Sequence, residues 1–107
     1  AMLTAADRIV FQVDDGDSNI DCVTEKNGTA TTTDSGVDIA SGTAVTLGFH
    51  VKSTGSVEFF VNRNKVATHT ANIPDDENLA LGAMQLSGSA TGTKSMNIDY
   101  IFAAQVR

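Results

Sequence analysis

Hydrophobic side chains recur at every second position over much of this chain, and that period confines it to β-structure. Residues 44–52 (AVTLGFHVK) show it most cleanly. Val45, Leu47, Phe49 and Val51 fall on one face; Thr46, Gly48, His50 and Lys52 fall on the other. Successive strand residues point to opposite faces, so strict alternation suits a half-buried strand and not a helix. The same reading places strands over 8–13, 20–26, 29–33, 56–61, 65–70, 79–87 and 93–106, about eight in all. Val57, Phe59 and Val61 face inward in one of them, and Met96, Ile98, Tyr100 and Phe102 share a face in the last. Asn27-Gly28 separates two of these runs, and both residues tolerate the positive φ of a type I′ hairpin turn. Asn62-Arg63-Asn64 reads as another tight turn, 34–42 as a loop, and Pro74-Asp75-Asp76-Glu77 as a loop or a single helical turn. Regular short strands with Gly-, Asn- and Ser-rich turns predict an all-β antiparallel sandwich or barrel.

Composition narrows the roles open to such a fold. The 107 residues allow one domain. Seven Lys and Arg against thirteen Asp and Glu give a net charge of −6. Non-specific nucleic-acid binding and attraction to anionic membrane surfaces both need the opposite sign, so neither is expected. The same charge implies a docking surface that is neutral or basic. No run of about 18 apolar residues spans a membrane. One Cys excludes an internal disulfide framework. Aromatics are 6% of the chain with no Trp, so the core is built from small and β-branched side chains. A thin core with edge strands to cover points to an oligomer, with a homotrimer expected. Residues 1–7 precede the first strand and lack the basic and apolar regions of a signal peptide. Met2, Leu3, Thr4, Ala5 and Ala6 are short, mostly apolar and unpaired in this map, which suits an arm that docks on a neighbour.

The motifs that carry chemistry are incomplete. Asp15, Asp17, Asn19 and Asp21 alternate like the oxygen ligands of a Ca²⁺ loop, but Ile20 stands where the sharp turn needs Gly, and Lys26 where the last carboxylate belongs. That stretch reads as a solvated acidic turn, and no metal or other cofactor is expected. Residues 88–95 have the wrong glycine spacing for a phosphate loop and lead into a strand, where a phosphate site needs a helix N-terminus. His50 and His69 have no Cys or His at metal-ligand spacing, and no G-x-S-x-G elbow supplies a nucleophile. Both histidines read as surface or strand-pair residues. Asp75-Asp76-Glu77 reads as a solvated turn ahead of a glycosidase pair, and Cys22 as a small buried hydrophobe lacking the basic neighbours that activate a thiol. The chain is therefore not expected to be an enzyme. Phe60 alternates away from Val57, Phe59 and Val61, so it marks a second apolar layer or a contact surface, and it is the expected contact residue alongside the N-terminal arm.

Two segments carry a resemblance. SVEFFVNRNKVATHTANIP (56–74) resembles the strand–turn–strand of concanavalin- and laminin-G-like jelly rolls, and MNIDYIFAAQ (96–105) is similar to their closing strand. Together with the upstream segment, the chain from about Arg8 onward resembles jelly-roll domains in virion proteins of tailed bacteriophages, above all capsid decoration and head-surface proteins. The resemblance implies an eight-stranded jelly-roll sandwich over 8–107. It also implies a structural role, as a decoration or cement protein on the capsid exterior that binds the major capsid protein and assembles in the host cytoplasm. The alternative it implies is a receptor- or glycan-binding module of a head or tail fibre. Such domains begin with further strands upstream of Arg8, so the chain either is a C-terminal portion of a longer protein or takes those strands from elsewhere. The turn at Arg63-Asn64 lacks the family's usual Gly. No metal-binding residue of plant-type lectins has a counterpart, so their mode of sugar binding is not implied.

Overall fold

The computed structural model describes residues 5–52, 55–75, 79–83, 96–98 and 100–103. Among them the fold is all-β, with no helix. Six strands form two antiparallel sheets of three: β1 (Arg8–Gln12), β2 (Asn19–Lys26) and β3 (Thr29–Asp38) in the first, β4 (Leu47–Lys52), β5 (Ser56–Val61) and β6 (Asn64–His69) in the second. Each sheet is a meander whose neighbours in sequence are neighbours in space. The architecture is compatible with a β-sandwich. The described parts of the seventh and eighth expected strands, within 79–83, 96–98 and 100–103, form no strand; the rest of both lies outside the described residues, as do Met2, Leu3 and Thr4.

Turn chemistry sets the hairpins. Asn27 and Gly28 take φ of 50° and 80°, the left-handed pair that a type I′ turn requires. Asn62 and Arg63 do the same at 51° and 69°, although Arg63 carries a side chain where Gly is usual. The third strand runs past its expected end to Asp38, because the chain absorbs Ser35-Gly36 as a bulge and keeps pairing. Asp21 faces Asp34 and Asn19 faces Asp38, so two residues of β2 span four of β3. Gly36 takes φ 74°, and its amide donates to Asp34 Oδ1 at 2.7 Å. Residues 44–46, expected in strand, lie before β4.

The core lies between the sheets. Cys22 from β2, Val57 and Phe59 from β5, and Ile73 from the segment after β6 form its buried centre, with Ile9, Phe11, Val66 and Ala67 packed around it. Phe59 is its largest member. Phe11 meets it edge-on at 5.2 Å between centroids, and the His69 ring meets it at 5.0 Å. His69 is therefore a core residue: it pairs with Val57 in the sheet, as a strand-pair role expects, but it is buried and not on the surface. Its ring bonds Thr24 of β2 through Nδ1 at 2.9 Å and Thr33 of β3 through Nε2 at 2.8 Å. On the outer face of the first sheet, Arg8 and Glu25 form a half-buried pair at 2.6 Å, two residues along from buried Val23.

Candidate docking face around Phe60

The outer face of the second sheet is set by the register of β4, β5 and β6. Gly48 pairs with Phe60, and His50 pairs with Glu58. Glycine has no side chain to cover its partner, so the Phe60 ring is left half-exposed beside Gly48. Around this ring lies a shallow groove of about 330 Å³ lined by Thr46, Gly48, Phe49, His50, Phe60 and Arg63. The Asn62-Arg63 turn is held against the start of β4. The Asn62 amide donates to the Thr46 carbonyl at 2.8 Å, and the Thr46 amide donates to Asn62 Oδ1 at 3.0 Å. These two bonds fix Arg63 at the rim of the groove.

Charge on this face runs against the charge of the whole chain. Glu58 is flanked by Lys52 at 3.3 Å, Lys65 at 3.2 Å and His50 at 3.7 Å. Hydrogen bonding from Lys65 and then Lys52 holds the Glu58 carboxyl below its ordinary range. One carboxylate is thus surrounded by two lysines, and Arg63 adds a third cation at the rim. Lone exposed pairs of this kind contribute little to stability. Their charges, with Arg63, give this face three cations to one carboxylate although the chain carries −6 overall. Net charge alone gives the expectation of a neutral or basic partner surface, whereas this face itself carries more cations than carboxylates among Lys52, Glu58, Arg63 and Lys65.

The other singled-out residues lie elsewhere. Ala5 is half-buried and Ala6 exposed; the Ala6 carbonyl accepts the Gly28 amide at 2.9 Å, and Asp7 Oδ1 accepts the Asn27 amide at 3.1 Å. This part of the expected arm is tied to the β2–β3 turn, on the other sheet from Phe60. The acidic loop is closed on itself: the Asn19 amide donates to Asp17 Oδ1 at 3.0 Å, and Asn19 Nδ2 donates to Asp34 Oδ2 at 2.9 Å. Burial, then Asp34, Asp14 and Asp17, raise the Asp21 pKa above its ordinary value. Among the described residues, no three His, Cys, Asp or Glu side chains converge on a metal position. Cys22 is buried, and desolvation, reinforced by Asp21 and Asp34, pushes its thiol up to about 11.

Sequence reasoning found Phe60 by its phase in the strand. It did not find Arg63 or the Lys52–Glu58–Lys65 rim, which only the pairing of three strands assembles. No protein-family model, curated protein or solved structure matches the chain. The site is therefore argued from its own chemistry.

Proposed function

We propose that this chain is a non-catalytic structural domain that docks on a protein assembly through the outer face of its second sheet, with Phe60 at the centre of the contact. The supporting observation is an accessible aromatic ring beside a glycine, in a groove lined by Arg63, with Lys52 and Lys65 paired to Glu58 on the same sheet face. Aromatic and arginine side chains within a polar rim are the elements that carry binding energy at protein interfaces. The resemblance of 56–74 and 96–105 to phage jelly rolls names the assembly: the exterior of a tailed-phage capsid, with the major capsid protein as partner. Such a domain acts by mass action, binding the assembled lattice in preference to free subunits and so stabilising it. A homotrimer on the lattice remains part of this reading.

The groove itself favours one second reading. Thr46, His50 and Arg63 set polar groups around an aromatic face, an arrangement that also suits a sugar ring. Co-sedimentation with capsids stripped of this protein, run beside a glycan array, separates the two. The docking reading expects binding to stripped capsids, weakened at least tenfold by Phe60→Ala. Micromolar glycan binding with no capsid binding replaces it with the fibre-type module.

A further inference from the structure

The two sheets do not lie strand over strand. His69 of β6 bonds Thr24 of β2 and Thr33 of β3, while Phe59 of β5 meets Phe11 of β1 edge-on and packs with Cys22 of β2. The second sheet is thus shifted by about one strand, with β6 over β2–β3 and β5 over β1–β2. The apolar stripe of β4 is left largely uncovered by the first sheet among the described residues. Leu47, Phe49 and Val51 pair in register with Val61, Phe59 and Val57 and share their inward face. The three β5 residues are buried, whereas Leu47, Phe49 and Val51 keep 44%, 42% and 48% of their exposure. The uncovered position is the one beyond β1, whose outer edge has no strand neighbour among the described residues.

A segment of the same chain has the matching pattern. Met96, Ile98, Tyr100 and Phe102 alternate at the spacing of the β4 stripe, and Tyr100 and Phe102 keep 70% and 80% of their exposure. We infer that the stripe of Ile98, Tyr100 and Phe102 docks as a seventh strand on the edge of β1, laying these side chains over Leu47, Phe49 and Val51. The structure holds the undocked arrangement, with both apolar stripes facing water; docking buries each against the other and satisfies an open sheet edge. The strand comes from the same chain. From the core residue Ile73 to Met96 is 96 − 73 = 23 residue steps, a reach of roughly 75 Å when extended, against a longest molecular dimension of 43 Å. A tether of that length keeps the segment at an effective concentration that a second copy does not match in dilute solution. This inference is independent of the capsid reading, since it concerns the inner face of β4 and not the Phe60 face.

Two measurements test it in the full chain. Phe102→Asp is harmless if the segment stays in water, because Phe102 is already exposed there. Docking instead predicts that the substitution lowers the melting temperature by several degrees and raises binding of an apolar dye several-fold. Cysteine pairs between Val10 or Gln12 and Asn97 or Ile101 test the edge directly, since the pairs take different registers; buried Cys22 does not compete. At least one pair is expected to oxidise to a disulfide at monomer mass. Unchanged melting and dye binding in Phe102→Asp, with no disulfide in any pair, overturns the docking. Disulfides found only in dimers overturn the same-chain source and put the strand on a second copy.

Discussion

His69 and Thr24 join the two sheets through a hydrogen bond of 2.9 Å from the ring Nδ1 to the threonine Oγ1. The Thr24 hydroxyl gives its own hydrogen to the Ala71 carbonyl at 3.1 Å, so its oxygen accepts from the ring. That leaves Nδ1 protonated and Nε2 free to accept the Thr33 hydroxyl at 2.8 Å. A neutral imidazole satisfies all of these bonds inside the core. Its pKa is lowered from 6.5 because burial penalises the charged form.

The pH dependence follows from that sign. Below 6.5 the unfolded chain binds a proton at this position that the folded chain resists. Stability contributed by His69 is complete above 6.5 and declines as pH falls from there through the lowered folded value. Urea midpoints at about pH 7.5 and about pH 5 are expected to differ in the wild type. In His69→Phe the difference shrinks, with a lower midpoint at the higher pH. Equal pH slopes in the two proteins exclude His69 as the source.

Phe59→Ala removes the side chain on which Phe11 and His69 converge. Emptying a site of this kind costs about 3–5 kcal/mol. Small domains hold only about 5–15 kcal/mol in all. Urea denaturation is expected to show most of the cooperative transition lost, while Phe60→Ala, one residue on and facing out, shifts it by under about 1 kcal/mol.

Arg63→Gly separates stability from binding. Arg63 sits at φ 69°, where an L side chain costs about 1–2 kcal/mol. Glycine relieves that strain and removes a cation from the groove rim. The expected result is a higher denaturation midpoint together with weaker capsid co-sedimentation. A variant that binds as well as wild type removes Arg63 from the contact.

Cys22 is expected to be inert in the native protein. It is buried, and its thiol is raised to about 11, so little thiolate exists at neutral pH. A thiol reagent near pH 8 should label it at the rate of unfolding and immediately in denaturant. Fast labelling of the native chain means the β2 face opens far more often than its burial implies.

Much of the strand map was legible because side-chain period is a local property. The phase of 56–61 placed Val57, Phe59 and Val61 inside and Phe60 outside, and the structure has Phe60 half-exposed on the outer face. Local pattern ends the third strand early because Ser35-Gly36 has the chemistry of a turn, and a bulge uses that same chemistry without ending the strand. His69 was misplaced for a related reason. The pairing shifts between Phe59–Ala67 and Phe60–Lys65, so Val66 is the extra residue and the phase of β6 reverses. Ala67 and His69 then turn inward, and period alone does not reveal a bulge.

By itself the sequence determined the six hairpin strands to within a few residues, the turns at Asn27-Gly28 and Asn62-Arg63, and the apolar side of β4 and β5, since these depend on neighbours a few positions away. The tertiary structure decided how one sheet lies over the other. That offset, which no local pattern encodes, buries Val57, Phe59 and Val61 but leaves Leu47, Phe49 and Val51 exposed on the same face. It also closes His69 between two threonines that lie 45 and 36 positions away in the chain. Burial depends on what stands opposite a residue, and only the packed fold supplies that.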